Sequence, residues 1–462
     1  MSSTRYVSTR GLAPELGFTE VLLAGLANDG GLYVPKSWPV LPACSPGATY
    51  AERAAQIIQL FVGDDLSADT VLRLCNEAYA TFAHPAVVPL VQLQHGHFVQ
   101  ELFHGPTLAF KDVALQLVGR MFDAVLREQG RRVTIVGATS GDTGSAAIDG
   151  VKNCANVDIV ILYPHHRTSD VQRKQMTTVQ SPNVRVVAVE GTFDDCQDMV
   201  KAMFNDVEFR ERIQLSAVNS INWARVMAQI VYYIVATDLL AGPINVCVPS
   251  GNFGNVFSGW IARRMGAPID QLVVASNAND ILERFFNRND MSAAPVVPSL
   301  SPSMDIQVSS NFERLLFEMN ARDGGLTAEQ LQRFRTSGSL SVEPDQRAAF
   351  LDGRFQAARL DDSETLEVIA RTYREAGMLL DPHSAVGVGA VEKLRTLGTL
   401  TGTTVTLATA HPAKFPDAVE RATGVRPPLP PHLADLFDLP EHLTVLPNDL
   451  ATVQHFVATA FR

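Results

Sequence analysis

Two glycine-rich turns constrain the fold of this chain more than any other feature. GATSGDTG at residues 137–144 follows the apolar run 133–136, and PSGNFGN at residues 249–255 follows the apolar run 244–248; a helix-like segment comes after each turn. A strand, a tight turn and a helix in this order allow backbone N–H groups and a helix N-terminus to surround an anion. The pattern therefore predicts an α/β fold with anion or cofactor cradles.

The second turn contains Gly251 and Gly254, which can adopt positive φ and lack a side chain, so that phosphate oxygens could approach the backbone amides closely. Neither turn has the sequence of a Walker P-loop or the GxGxxG spacing of a dinucleotide fold. A nucleotide is therefore not the expected ligand. The alternative interpretation of each turn, taken alone, is a tight connection without a ligand.

Short apolar runs continue the α/β pattern along the chain. Six of them predict buried parallel strands, at residues 132–136, 157–162, 184–189, 244–248, 272–275 and 404–408. Amphipathic or apolar helical patterns lie at residues 50–61, 67–82 and 224–240. Ligands of open α/β sheets bind beyond the carboxyl ends of the strands. We therefore expect the turns after residues 136, 248 and 408 to meet in one cleft.

These elements predict two open parallel-sheet α/β domains and a mostly helical N-terminal unit. The N-terminal unit is placed at residues 1–90. A smaller α/β domain, at residues 91–215, carries Lys111. A larger α/β domain, at residues 216–462, carries the second glycine-rich turn.

Lys111 lies in the largely apolar segment ELFHGPTLAFKD, residues 101–112. An ammonium that loses solvation has a lowered pKa, and the neutral amine can then attack a carbonyl carbon, as in a Schiff-base lysine. The alternative is that Lys111 opens a helix and extends to the surface. The two glycine-rich turns elsewhere in the chain favour the chemical role.

Composition limits the class of protein. A chain of 462 residues with 46% hydrophobic and 19% charged residues indicates a soluble enzyme. The formal net charge of −11 argues against general attraction to nucleic acid or to an anionic membrane. The five cysteines show no zinc-site or disulfide spacing, and no leader or membrane-spanning segment is recognised. We expect a cytoplasmic protein without a metal site.

A series of motifs is spread along the chain: TRG at 9–11, GFTE at 17–20, LANDGGLYVP at 26–35, ELFHGPTLAFKD, SGDTG at 140–144, SGNFGN at 250–255, SPSMDIQ at 301–307, SSNFER at 309–314 and TAHPAKF at 409–415. In this order the motifs resemble the threonine synthase family, pyridoxal 5'-phosphate (PLP) enzymes of the tryptophan-synthase-β-like fold, fold type II. The resemblance implies conversion of O-phospho-L-homoserine and water to L-threonine and phosphate.

The resemblance also implies roles for particular residues. Lys111 would hold PLP and move protons at the α and β carbons of the substrate. Thr409 would face the pyridine nitrogen, although the residue type alone favours a plain strand end. The cofactor phosphate would be bound by the second turn, at Gly251, Asn252, Phe253, Gly254 and Asn255.

Asp142 takes a place where related fold-type-II enzymes often carry an asparagine near the ring oxygen of the cofactor. A carboxylate accepts a hydrogen bond rather than donating one, so we expect Asp142 to tune the lysine–cofactor linkage. The alternative is an N-cap of the following helix. The same loop, with Thr139, Ser140 and Thr143, is implied to bind the substrate carboxylate.

The departing phosphate requires cations and donors. Asn222 and Arg225 are three positions apart, so they share a face if that segment is helical. The alternative for Arg225 is a solvated helix residue. His104, His411 and Lys414 lie in the motif loops and have no assigned role.

Three other functions stay open at this point: a serine or threonine dehydratase of the same fold, a related phospholyase acting on a different phosphorylated amine, and a non-catalytic protein that binds a phosphorylated ligand. The partner is expected to be a small molecule, and the protein a monomer or a homodimer.

Overall fold

The structure is a computed structural model that describes residues 4–216, 219–240 and 242–461. The strands are β1 (Tyr6–Ser8), β2 (Tyr33–Pro35), β3 (Leu90–Gln94), β4 (His97–Glu101), β5 (Val133–Ala138), β6 (Val157–Pro164), β7 (Val184–Glu190), β8 (Leu215–Ser216), β9 (Ile244–Pro249), β10 (Ile269–Ser276), β11 (Met291–Ser292), β12 (Ser339–Leu340), β13 (Phe355–Arg359), β14 (Thr404–Ala408) and β15 (Thr444–Pro447).

The helices are α1 (Phe18–Ala24), α2 (Tyr50–Val62), α3 (Ala68–Tyr79), α4 (Lys111–Glu128), α5 (Asp142–Val151), α6 (Asp170–Thr177), α7 (Phe193–Asn205), α8 (Val207–Arg212), α9 (Trp223–Leu240), α10 (Gly254–Met265), α11 (Ile281–Arg288), α12 (Phe312–Met319), α13 (Gly324–Ser337), α14 (Pro344–Leu351), α15 (Asp362–Ala376), α16 (Pro382–Thr396), α17 (Pro416–Thr423) and α18 (Leu450–Thr459). All six predicted strands and the three predicted helices are present among these elements.

Two parallel sheets organise the chain, which confirms the predicted fold class. The first has five strands in the order β15-β7-β6-β5-β8, and the second has six in the order β13-β10-β9-β14-β4-β3, of which only the edge strand β3 is antiparallel. Strand β6 shows why the sheets are parallel and covered. All eight of its residues are buried, which is the pattern of a strand with helices on both faces.

Strand pairing corrects the predicted division of the chain at two places. Residues 91–101, which hold most of β3 and all of β4, fall in the predicted smaller domain at 91–215, but β4 pairs with β14 in the six-stranded sheet. Strand β15 was assigned to the larger domain at 216–462, but it pairs with β7 in the five-stranded sheet. The six-stranded sheet thus includes β3 and β4, which precede the predicted larger domain, and the five-stranded sheet includes the single strand β15 from the predicted larger domain.

The N-terminal helices pack on the catalytic part of the chain through α9. Trp223, at the start of α9, is fully buried and donates from Nε1 to the hydroxyl of Tyr6 at 3.1 Å. Tyr6 in turn donates to the carbonyl of Phe61, in α2, at 2.7 Å. Helix α9 is apolar on nearly all faces, as expected for a helix enclosed between layers.

In the described part of the chain, no helix is both long enough and apolar enough to cross a membrane.

Candidate active site

Lys111 is the first residue of α4, and only 8% of its surface is exposed. The turn before it is fixed by Asp112, whose carboxylate accepts from the N–H and the hydroxyl of Thr107 at 2.8 and 2.6 Å. Burial lowers the pKa of the Lys111 ammonium; Lys414 acts in the same direction, and Asp142 opposes the change. The predicted burial of Lys111 is confirmed, and the surface alternative is wrong.

Asp142, at the start of α5, uses its two carboxylate oxygens for different partners. Oδ2 lies 3.2 Å from Nζ of Lys111 and accepts from the Ser303 hydroxyl at 3.4 Å. Oδ1 lies 2.9 Å from both Nε2 of Gln172 and Nζ of Lys414. Burial alone would raise the pKa of this carboxyl, but the two lysines outweigh burial and hold the pKa well below its usual value. Asp142 is therefore an anionic acceptor next to the reactive lysine.

Lys414 is fully buried in the short 3-10 helix Pro412–Lys414. Its ammonium donates to the carbonyl of Thr107 at 2.7 Å and to Oε1 of Gln175 at 3.1 Å, and Asp142 is its third partner. Three acceptors match the three protons of an ammonium group. No local pattern could assign a role to this lysine, because its partners come from three remote segments.

The second glycine-rich turn joins β9 to α10 and has an unexpected backbone conformation. Positive φ falls on Phe253, with φ 63°, and not on Gly251 or Gly254, although both glycines could adopt it. Left-handed backbone is unfavourable for a bulky residue. The ring of Phe253 is buried between Phe286 and Phe312, at centroid distances of 5.9 and 5.7 Å, and this packing holds the turn. The first turn of α10, whose N–H groups have no partner within the helix, begins directly after Phe253.

The glycines of this turn serve close approach instead. A Cβ at Gly251 would lie 2.8 Å from the carbonyl oxygen of Ser303, and a Cβ at Gly254 would lie 3.2 Å from Nδ2 of Asn311. The backbone N–H of Asn311 donates to the carbonyl of Asn252 at 3.0 Å, and the side chain of Asn252 is exposed. Any larger residue at 251 would displace the Ser303 segment.

Asn255 is oriented by two tyrosines. Its Oδ1 accepts from the hydroxyls of Tyr232 and Tyr233, at 2.5 and 2.8 Å, and the Tyr233 hydroxyl also lies 2.8 Å from the backbone carbonyl of Asn255. Because Oδ1 is used in this way, Nδ2 points elsewhere; this buried nitrogen has no hydrogen-bond partner among residues 4–216, 219–240 and 242–461. It is a free donor at the start of α10.

Ser303 connects Lys111 with the second glycine-rich turn. Its hydroxyl lies 3.5 Å from Nζ of Lys111, while its carbonyl oxygen faces Gly251. Its backbone N–H donates to Nε2 of His383 at 3.2 Å, so His383 carries its proton on Nδ1, which lies 2.8 Å from Oδ2 of Asp381. The sequence did not assign these residues; Asp381 followed by a proline signals a helix start, but no local signal predicts the contact with Ser303.

Thr409 follows β14 and lies beside the turn that carries Lys111. Its carbonyl accepts from the N–H of Phe110 at 2.8 Å, and its own N–H donates to the hydroxyl of Ser384 at 3.1 Å. The backbone at Thr409 is therefore fixed relative to Lys111.

Arg225, in the first turn of α9, is buried with 3% of its surface exposed. Its Nε and Nη1 atoms donate to no group in the described part of the chain. Burial lowers the pKa of the guanidinium to about 10. An unpaired buried charge is costly, and arginine is a strong ligand for phosphate and carboxylate groups. The solvated alternative for Arg225 is wrong, and the side chain has the free donors of an anion site.

Asn222 is buried near Arg225 but faces protein groups. Its Nδ2 donates to the carbonyl of Leu22 at 2.9 Å, and its Oδ1 accepts from the N–H of Ala224 at 2.9 Å. These two hydrogen bonds hold the start of α9 against α1. They explain the position of the Asn222 side chain without a ligand.

The first glycine-rich turn joins β5 to α5. The hydroxyl oxygen of Thr139 accepts from the N–H groups of Gly141 and Gly144, both at 2.9 Å, and so shapes the loop. Ser140 is exposed and Thr143 is half-buried. The N-cap of α5 is Gly141, with φ 143°, so the alternative N-cap role of Asp142 is wrong.

Two histidines of the motif loops have protein partners. Nε2 of His104 lies 2.7 Å from Oε2 of Glu101. Nδ1 of His411 accepts from the N–H of Ala413 at 3.1 Å, and burial lowers the pKa of His411 to about 4. Within the described residues, neither ring hydrogen-bonds to Lys111 or Asp142.

Comparisons with known proteins show the family of this chain. Three family models match successive parts of the chain: "Threonine synthase N terminus" at residues 5–79, "Pyridoxal-phosphate dependent enzyme" at 84–335 and "Threonine synthase, C-terminal" at 384–457. The chain is 54% identical to the threonine synthase of Pseudomonas aeruginosa over 98% of both chains. It is 42% identical to that of Schizosaccharomyces pombe, with 91% of this chain and 90% of the relative covered.

Solved structures give the same result. The PLP-bound threonine synthase of Brucella melitensis superposes with a TM-score of 0.96 at 49% identity over the whole of both chains. The yeast threonine synthase superposes with a TM-score of 0.94 at 37% identity over 99% of both chains.

Proposed function

This chain belongs to the threonine synthase family of PLP-dependent lyases of fold type II, and we propose that it converts O-phospho-L-homoserine and water to L-threonine and phosphate. The observation that carries the proposal is the buried guanidinium of Arg225, whose Nε and Nη1 have no hydrogen-bond partner among the residues that the structure describes. Its charge is close enough to Lys111 to lower the pKa of that ammonium. A reactive lysine and a free anion site thus lie together.

The residues of the site fit PLP. The phosphate of the cofactor requires N–H donors, and the structure offers the start of α10 together with the unpaired Nδ2 of Asn255. Gly251, Asn252, Phe253 and Gly254 provide the turn. Lys111 supplies the amine for the aldehyde, and Thr409 is the residue proposed to face the ring nitrogen.

When bound, the cofactor supplies an electron sink for charge at the substrate α carbon. Lys111 holds the cofactor and then moves protons at the α and β carbons, a role that requires a neutral amine during the cycle. Its burial favours that form. Asp142, fixed 3.2 Å from Nζ, orients the amine and accepts its hydrogen bond.

The substrate is bound by two sets of residues. Thr139 shapes the loop at the start of α5 by accepting from the N–H groups of Gly141 and Gly144, and the loop presents Ser140 and Thr143 to the substrate carboxylate. Arg225 binds the γ phosphate and stabilises the charge of the departing group. Asn222 supports Arg225 by fixing the first turn of α9, rather than by contacting the phosphate.

The experiment is an assay of purified protein with PLP and O-phospho-L-homoserine, in which threonine and phosphate are measured together. Equal amounts of the two products are expected. Phosphate without threonine would indicate a phospholyase with a different outcome, and formation of 2-oxobutanoate from threonine would indicate a dehydratase. Bound cofactor without any turnover would indicate a binding protein.

The setting of the enzyme is also a proposal. We propose a cytoplasmic enzyme, a monomer or a homodimer, that binds no nucleic acid. All five cysteines are unpaired, as in a reducing compartment, and the net charge of −11 repels polyanions. Light scattering measures the mass in solution and so tests the oligomeric state. A gel-shift assay tests whether the protein binds nucleic acid.

A further inference from the structure

Lys414 has no role in the proposed reaction, yet its ammonium is fully enclosed and joins three parts of the site. It binds the turn before Lys111 through the carbonyl of Thr107, α6 through Oε1 of Gln175, and α5 through Oδ1 of Asp142. Since Thr107 is also fixed to Asp112, the residue after Lys111, the position of Lys111 depends on this ammonium.

Helix α6 fixes the direction of these hydrogen bonds. Gln172 and Gln175 are three residues apart and share a face. Oε1 of Gln172 accepts from the Ser169 hydroxyl at 3.1 Å, so its Nε2 faces Asp142. Nε2 of Gln175 donates to the carbonyl of Thr107 at 3.2 Å, so its Oε1 faces Lys414. The helix therefore presents one donor to the carboxylate and one acceptor to the ammonium.

The charges explain what Lys414 contributes. When Lys111 is protonated, Asp142 lies between two cations. When the Lys111 amine is neutral, Asp142 and Lys414 remain as a neutral pair. Without Lys414, a neutral Lys111 would leave Asp142 as a buried carboxylate without a counter-ion, which is strongly unfavourable. Lys111 would then keep its proton up to a higher pH.

We propose that Lys414 is a positioning residue for the reaction, and this rests on the proposed role of Lys111. Its ammonium neutralises Asp142, so that Lys111 can lose its proton while Asp142 stays an anionic acceptor. Other titratable side chains also face this cluster: Asp112 from α4, Arg225 from α9 and His383 from α16. They are left intact in the variants below.

The test follows the reactivity of Lys111 directly, in protein freed of cofactor. An amine-selective acylating reagent is applied across a pH series, and labelling of the Lys111 peptide is measured by mass spectrometry. In Lys414→Met the labelling profile moves to higher pH, and at a fixed pH below its midpoint labelling is about tenfold slower, which corresponds to one pH unit. In Lys414→Arg the charge is kept and the wild-type profile returns.

Lys393→Met is the matched control, because Lys393 is a half-buried lysine whose ammonium lies 2.6 Å from Glu364 and donates to the carbonyl of Arg359; its profile equals that of wild type. Circular dichroism and thermal unfolding establish that each variant is folded. A folded Lys414→Met with an unchanged profile overturns the proposal, and so does a Lys414→Arg that behaves like Lys414→Met.

If Lys414→Met does not fold, Gln175→Glu replaces it. A carboxylate at this position competes with Asp142 for the Lys414 ammonium, so the profile moves in the same direction by a smaller amount. An unchanged or opposite profile in Gln175→Glu overturns the proposal. Because labelling requires no turnover, a failure here is distinct from a failure of the wild-type enzyme to form threonine and phosphate.

Discussion

Replacing Arg225 by methionine tests whether this arginine is an anion site that lowers the stability of the empty protein. Burial lowers the pKa of the guanidinium to about 10, and at 1.36 kcal/mol per pH unit the fall from about 12.5 corresponds to a cost of about 3 kcal/mol. Methionine retains the apolar stem without the charge. We therefore expect Arg225→Met to be more stable than wild type without ligand, by roughly 1–3 kcal/mol after some loss of packing.

The assay is thermal unfolding of cofactor-free protein with and without inorganic phosphate. An anion that binds only the folded state raises the midpoint as its concentration increases. We expect phosphate to stabilise wild type more than Arg225→Met, and turnover of O-phospho-L-homoserine to fall at least 100-fold in the variant. Arg131→Met, at an exposed arginine, is the matched control and should leave both measurements unchanged.

A less stable Arg225→Met that responds to phosphate as wild type does would refute this reasoning. That result would mean that the guanidinium has a partner in the folded protein and that the anion binds elsewhere.

Three further predictions concern other parts of the molecule. Lys111→Ala should abolish the visible absorbance of the lysine-bound cofactor and reduce turnover by at least about 1000-fold; an absorbing, active variant would contradict the role of Lys111. Tyr233→Phe removes the hydroxyl that hydrogen-bonds to Asn255. The dissociation constant for PLP, measured by fluorescence titration, should rise about 5-fold, in line with roughly 1 kcal/mol per hydrogen bond. An unchanged constant would show that Asn255 is oriented without Tyr233. Burial, with a contribution from Arg395, lowers the pKa of His97 to about 3. The unfolded state therefore binds a proton that the folded state does not, and stability is lost as pH falls below about 6.5, by about 2 kcal/mol at about pH 5. His97→Gln should remove this part of the pH dependence of unfolding, and an equal slope in both proteins would contradict it.

Elements determined by local pattern could be predicted from the sequence. The apolar run of β9, the turn and the helix α10 are consecutive, so their order follows from sequence alone, and the predicted anion-binding role rests on that order. Lys111 could be identified as a candidate reactive lysine because the sequence itself shows a charged residue in an apolar segment. The hairpin β3–β4 was missed although a signal was present: two alternating runs flank Gly96, which adopts φ 66°.

Features determined by tertiary contacts could not be predicted. The two glycines of the second turn can adopt left-handed backbone, but packing of the ring places that backbone at Phe253. The acceptors of Lys414 lie as far as 307 residues away along the chain, so no local pattern marks this lysine as buried. Asn222 was predicted to contact a ligand because it lies three residues before Arg225. Spacing alone cannot show that its side-chain amide donates to the carbonyl of Leu22.

The exchange of strands between the two sheets has a consequence for synthesis of the protein. The edge of β7 is covered by β15, and Val453 and Val457 of α18 pack in the same core as Val187 and Val189. A nascent chain therefore carries β7 with an open edge until residues 444–459 have left the ribosome, and open edges favour association between chains. The five-stranded sheet is completed late in translation, and chains released before that point should aggregate or require a chaperone.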